Sequence, residues 1–187
     1  MNERQLGPWR RQSRELRYDN RWLSLYHDEV LTPGGSKGIY GVVHFKSIAI
    51  GIIPLDGCGN TWLVSQYRYT LEQRHFEIPM GGCPLHDEPL EGARRELQEE
   101  CGITADCWTE LMTLHTTNSV SDESGRVFLA EGLSFGESSL EDSEADLCVH
   151  KMPFKEVYEW VLAGKITDAI SVAGVLRTAV LRPELVD

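Results

Sequence analysis

Apolar and polar residues alternate over residues 23–31 and again over 38–45, on either side of Pro33-Gly34-Gly35, which predicts two strands joined by a short turn. Ser47–Leu55 has a different pattern: it is nearly continuous in apolar and β-branched residues, as expected of a strand buried on both faces. Asp56-Gly57 and Gly59-Asn60 then lead into a second such run, Trp62–Tyr67. Further strands are expected at 75–78, 104–115, 126–131 and 146–151. A helix from about Glu88 to Glu100 is bracketed by Asp87 as its cap, Pro89 in its first turn and Gly102 as its stop. Two more are expected, from about Phe154 to Ala163 before Gly164 and from Thr167 to Leu181 near Pro183. Residues 1–22 carry Arg4, Arg10, Arg11, Arg14, Arg17 and Arg21 against Glu3, Glu15 and Asp19, and read as an arm. The expected division is an arm with hairpin, 1–45, and a main domain, 46–187.

Composition narrows the function. With 18 Lys and Arg against 29 Asp and Glu, the 187-residue chain carries a net charge of −11, the wrong sign for coating polymeric nucleic acid. The five cysteines, Cys58, Cys83, Cys101, Cys107 and Cys148, are odd in number and form no C-x-x-C pair, so neither a disulfide framework nor a zinc knuckle is indicated. Reduced thiols and a cytoplasmic location are the expectation. The N-terminus lacks the apolar core of a signal peptide, and no run approaches the roughly 18 apolar residues needed to span a bilayer.

The predicted helix over 88–100 carries the chemistry. Leu90, Ala93, Leu97 and Cys101 share one stripe that must face the sheet. At about 100° per residue, Glu96, Glu99 and Glu100 fall within a wedge of about 100°. Like charges at these spacings repel, and near a helix C-terminus the macrodipole disfavours anions. A Glu-rich helix end is also how a solvated face reads. A hard divalent cation, Mg²⁺ or Mn²⁺, would instead explain the crowding, because it takes oxygen ligands and bridges carboxylates to substrate phosphates. Just upstream, Glu77-Ile78-Pro79-Met80-Gly81-Gly82 reads as a strand end running into a glycine-containing loop, where backbone can approach a metal or phosphate.

These residues spell a signature. Gly81, five residues, Asp87, seven residues, then Arg95-Glu96-Leu97-Gln98-Glu99-Glu100-Cys101-Gly102-Ile103 resembles the Nudix box, G-x5-E-x7-R-E-U-x-E-E-x-G-U with U aliphatic. Asp87 departs from the Glu of that pattern. The resemblance implies an α+β fold, an α/β/α sandwich with a mixed sheet between helices and an N-terminal β-hairpin arm. It also implies metal binding by Glu96, Glu99 and Glu100 with the Met80 carbonyl as a backbone ligand, and Arg95 orienting the acids.

Beyond the box, Asn20-Arg21-Trp22, Gln66-Tyr67-Arg68, Glu77-Ile78-Pro79, Ser121-Asp122-Glu123, Phe128-Leu129-Ala130 and Ile166-Thr167-Asp168-Ala169 resemble the ADP-ribose and nucleoside diphosphate sugar pyrophosphatases of the same family. That resemblance implies a homodimer exchanging its arm and first hairpin, and hydrolysis to a nucleoside monophosphate and a sugar phosphate. It places Trp22, Arg68 and Glu123 at the substrate: Trp22 stacking on the base, unless it is simply packed in an amphipathic strand, and Arg68 on the diphosphate or ribose phosphate, unless it forms a surface ion pair. Residues 137–146 hold Glu137, Glu141, Asp142, Glu144 and Asp146 and no basic residue; by resemblance this is the loop that brings a general base to the catalytic water, Glu144 first and Glu141 in reserve. ADP-ribose specialists carry a proline about sixteen residues past the box, where this chain has Ser119, which points toward broader sugar nucleotides including GDP-mannose. The rival readings are a non-catalytic nucleotide-binding module, disfavoured by the intact acids, and an acid-surfaced structural domain, which leaves the spacing unexplained.

Overall fold

The computed structural model describes residues 3–187. They belong to two compact units, Met1–Ile48 with His115–Ser124, and Ala49–Leu114 with Gly125–Asp187.

The first unit is a four-stranded antiparallel sheet in the order β1 (Arg4–Leu6), β2 (Trp9–Asp19), β3 (Leu23–Leu31), β4 (Lys37–Phe45). β3 and β4 form the hairpin the alternation predicts, in unbroken register from Leu23↔Phe45 to Leu31↔Lys37. The segment read as an arm is itself strand. Its pairing with β3 is interrupted by register shifts between Arg11 and Ser13 and between Leu16 and Tyr18, and such irregularities erase the two-residue period by which a strand is recognised. Asp28 is buried in this sheet and accepts a forked pair from Arg14, Nε to Oδ1 and Nη2 to Oδ2, both at 2.7 Å. Residues 115–124 run beside β4. Val43 donates to the Val120 carbonyl, Tyr40 Oη to the Ser119 carbonyl at 2.6 Å, and His44 pairs with Asp122.

The second unit takes up the rest of the chain. β5 (Ser47–Pro54) leads into it, followed by β6 (Asn60–Arg68), β7 (Gln73–Glu77), β8 (Met80–Pro84), α1 (Pro89–Cys101), β9 (Ile103–His115), β10 (Ser124–Phe135), β11 (Cys148–Pro153), α2 (Phe154–Leu162) and α3 (Ala169–Leu181). One sheet runs β8-β5-β10-β9, with β5 and β10 parallel, and another runs β11-β6-β7, antiparallel throughout. The two continuous apolar runs therefore lie inside different sheets. Side chains alternate across β5: Ile50 lies under Gly92 of α1, while Gly51 is closed over by Ile170 of α3 and Ile53 by Gly174. Helices thus cover both faces of one mixed sheet, the α/β/α arrangement expected of an α+β fold. Phe154, Val157 and Val161 of α2 join Ile170, Val175 and Ala179 of α3 in the core.

Two local expectations are corrected. The cap of α1 is Glu88, not Asp87. Pro89 takes the first helical position and holds the residue before it extended, at φ −71° and ψ 126°, so the helix starts one residue later. The glycine segment 80–84 is an edge strand rather than a loop, pinned at its start by the Ile52 amide donating to the Pro79 carbonyl at 2.9 Å. The other end of α1 is as expected: Gly102 is left-handed (φ 64°) and caps the helix through its own amide.

Arg14→Met should lower stability by about 3–5 kcal/mol, because it leaves the buried Asp28 carboxylate unpaired. Replacing Arg14 and Asp28 together by apolar residues should cost much less; urea denaturation of the two variants checks this.

Candidate functional site

On α1 the residues that face inward are not only apolar. Gly92, Glu96 and Glu100, spaced by four, are all buried beside Ala93 and Leu97, so two carboxylates occupy a row that helix geometry assigns to the interior. What they meet explains how they are tolerated. The Glu96 carboxylate lies where a side chain on Gly81 would project, so Gly81 is required by close approach rather than by backbone conformation. Glu96 Oε1 pairs with Arg95 Nη2 at 2.7 Å; Arg95 also reaches Glu99 Oε2 through Nη1 at 3.0 Å and the Gly82 carbonyl through Nη2 at 2.9 Å. Arg95 therefore ties two acids of α1 to β8. Glu100 Oε2 accepts the Met80 amide at 3.0 Å, while its Oε1 is buried with no hydrogen-bond partner among the described residues.

Burial raises both carboxyls. Glu96 is pushed up to about 7, mainly by desolvation and further by the charges of Glu99 and Glu144, against the pull of Arg95. Glu100 is pushed up to about 8, again by desolvation first, with Glu144 and Glu96 adding and the Met80 amide and Arg68 opposing. The charge of Glu96 thus reaches Glu100, Glu99 is joined to Glu96 through Arg95, and Glu144 of the acidic segment acts electrostatically on both buried carboxyls.

The acidic segment is ordered by its own contacts. Gly136 donates to the Gly102 carbonyl at 2.7 Å and Ser139 to the Glu99 carbonyl at 2.8 Å, so the segment leaves from the C-terminal end of α1. Asp142–Glu144 form a 3-10 turn closed reciprocally: the Glu141 side chain accepts the Glu144 amide, and Glu144 Oε2 accepts the Glu141 amide at 3.1 Å. Glu141 is exposed and Glu144 half-buried.

Arg68 is held by Glu77. Its Nε lies 2.9 Å from Glu77 Oε1 and 3.1 Å from Oε2, its Nη2 contacts Oε2, and Glu77 itself is buried. Ser171, at the start of α3 and fully buried, donates to Asp168 Oδ2 at 2.8 Å and accepts the Ile78 amide at 3.0 Å, which fixes the strand end leading into Met80. Glu77, Ser171 and Asp168 escaped the sequence-level assignment of roles. Asp168, expected inside a helix starting at Thr167, is instead the cap of α3, which begins at Ala169; its position ahead of an apolar run is the signal that could have found it. Trp22 and Glu123 belong to the first unit. Trp22 lies in the bend before β3, 57% exposed, with the Arg21 guanidinium 4.1 Å from its ring centroid. Glu123 is held by the Thr116 hydroxyl.

The donor set fits a hard divalent cation. It offers carboxylate oxygens, one of them buried and unpartnered among the described residues, and carboxyls whose charge is only partly compensated within the protein. Among the described residues no three His, Cys, Asp or Glu side chains are already gathered into a metal cage, so water, backbone carbonyls and substrate phosphates would complete the coordination of an ion held here, as is common for Mg²⁺.

Known proteins resemble the chain along its length. Residues 9–43 match the nucleoside diphosphate sugar hydrolase N-terminal domain, and residues 46–169 match the NUDIX domain. An ADP-ribose pyrophosphatase of Mycobacterium tuberculosis is 40% identical over 157 residues, covering 82% of this chain and 75% of that protein. An ADP-ribose pyrophosphatase of Bacillus subtilis is 30% identical over 158 residues, covering 84% and 85%. A solved structure of an ADP compounds hydrolase superposes with a TM-score of 0.84 at 19% identity, covering 97% of both chains, which establishes the likeness of fold.

The raised carboxyls set the sign of a pH effect. In metal-free protein the contribution of Glu96 and Glu100 to stability is fully present below their ordinary value of 4.5. It is lost as pH rises through about 7 and about 8, when charge must be carried inside the fold. Melting temperature in a chelator should therefore fall across this window, Glu100→Gln should flatten the fall, and Mg²⁺ or Mn²⁺ should raise the melting temperature more at pH 8 than at pH 5.5.

Proposed function

Because the chain belongs to the NUDIX family, we propose that it hydrolyses the pyrophosphate bond of a nucleoside diphosphate sugar such as ADP-ribose, giving a nucleoside monophosphate and a sugar phosphate. The observation that carries this reading is the buried Glu96–Glu100 pair, with Glu99 tied alongside by Arg95. Burial makes the charged forms of that pair costly to the fold, and the arrangement suits a divalent cation facing an anionic substrate. The names of the two pyrophosphatase relatives support ADP-ribose.

When bound, Mg²⁺ would neutralise the diphosphate and lower the pKa of the attacking water. Glu96, Glu99 and Glu100 would hold it, with the Met80 carbonyl as a further donor. Arg95 keeps Glu96 and Glu99 converged. Glu144 takes the proton from water as its oxygen bonds to phosphorus and the bridging P–O bond breaks toward the departing phosphate; Glu141 is the reserve candidate for this role. Arg68, oriented by Glu77, presents a guanidinium to the diphosphate. Trp22 offers its ring to the base, an assignment supported by its exposure, and Glu123 contacts the sugar nucleotide.

A second reading, a broad hydrolase that also takes GDP-mannose, is favoured by Ser119 standing where ADP-ribose specialists carry proline. Its carbonyl is held by the Tyr40 hydroxyl. We further infer a homodimer, supported by the exposed Leu6, Leu16, Leu25 and Ile39 of the first unit. No helix among the described residues is long and apolar enough to cross a membrane, and the unpaired state of all five cysteines supports work in a reducing compartment such as the cytoplasm.

Incubation with ADP-ribose and Mg²⁺ should yield AMP and ribose 5-phosphate, resolved by anion-exchange chromatography, and a chelator should stop the reaction. Intact ADP-ribose across a panel with GDP-mannose, UDP-glucose and dinucleotides would refute the assignment. Glu100→Gln should abolish most turnover, and Glu144→Gln should lower kcat about 10²–10⁴-fold with little change in KM.

A further inference from the structure

The acidic segment is anchored at its far end by a residue from another strand. Arg74, on β7, donates through Nη2 to Asp146 Oδ2 at 2.8 Å and through Nη1 to the Asp146 carbonyl at 3.1 Å; the same Nη1 lies 2.9 Å from the Ser65 carbonyl on β6. Asp146 Oδ2 also accepts the Tyr67 amide at 2.9 Å. One planar guanidinium thus joins the backbone of β6 to both the side chain and the main chain of Asp146, a geometry that Lys cannot reproduce. Two residues upstream sits Glu144, whose carbonyl accepts the amide of buried Leu147 at 2.8 Å. The 3-10 turn that carries Glu144 is therefore held on one side by Ser139 on the Glu99 carbonyl and on the other by Arg74 on Asp146.

We propose that Arg74 is a positioning residue for hydrolysis: by clamping Asp146 to β6 it holds the turn of residues 142–144 so that Glu144 faces the buried acids of α1. This rests on the reading of Glu144 as the general base. The Arg74–Asp146 pair is a little over two-fifths exposed on both sides, and exposed pairs add little to stability. Its consequence is geometric, since small displacements of a catalytic group cost rate steeply.

The test is a double-mutant cycle in the full-length enzyme with ADP-ribose and Mg²⁺. Arg74→Ala should lower kcat about tenfold or more, leave KM within about twofold and move the melting temperature by no more than about 3 °C. In a Glu144→Gln background the same substitution should cost less than about twofold, since nothing remains to be positioned. Arg74→Lys, which keeps the charge without the fork, and Asp146→Asn should fall between wild type and Arg74→Ala. Full kcat in Arg74→Ala, a loss carried by KM, or an undiminished loss in the Glu144→Gln background would overturn the clamp while leaving Glu144 as base. Full turnover in Glu144→Gln alone has a different signature: it removes the base assignment, and the clamp falls with it.

Discussion

Two carboxylates placed in the inward row of one helix constrain everything around them. Removing Glu96 and Glu100 from water is unfavourable for their charged forms, and the surrounding chain is arranged to meet that demand only in part. Gly81 leaves room for one carboxylate, the Met80 amide binds the other, and Arg95 supplies a cation shared between Glu96 and Glu99. The remaining deficit, an unpartnered oxygen on Glu100, is what an external cation can fill. Incomplete internal compensation is what the proposed metal-dependent function would use, because a cluster neutralised from within would hold a cation more weakly.

The second unit provides the rigidity this arrangement needs. β5 is buried from Ile50 to Pro54, and its alternating side chains lock α1 to one face and α3 to the other. From α3, the buried Ser171 hydroxyl fixes Ile78, two residues before Met80. The backbone that touches Glu100 is thus positioned by the packing of a helix on the opposite face of the sheet from α1. The candidate metal-binding residues sit on a strand end and a helix face, and such rigid elements keep their geometry without substrate.

Much of this was legible in the residues. The β3–β4 hairpin, the apolar strands, the three helices and the Glu-rich face of α1 all followed from period and punctuation. β1 and β2 did not, because arginines distribute over both faces and register shifts destroy alternation. β8 read as a loop because its glycines carry no pattern, although its role is to come close to Glu96. The helix start moved from Asp87 to Glu88 because the conformational demand of Pro89 outweighed the preference of Asp for the cap. The Arg68–Glu77 pair links two strands and the Arg74–Asp146 clamp links a strand to a turn, both through side chains of ordinary type, and such long-range pairing is not encoded by local spacing.

The reciprocal cap between Glu141 and Glu144 bears on how function is divided within the acidic segment. In sequence the two residues are interchangeable acids; in the fold each holds the backbone of the other, one as the lock and the other as its key. Loss of either side chain loosens the turn that presents both. A functional defect traced to Glu141 alone therefore does not identify it as the group that handles the proton, and a lineage that replaced one of the pair would have to find a new closure for the turn before it could keep the other in place.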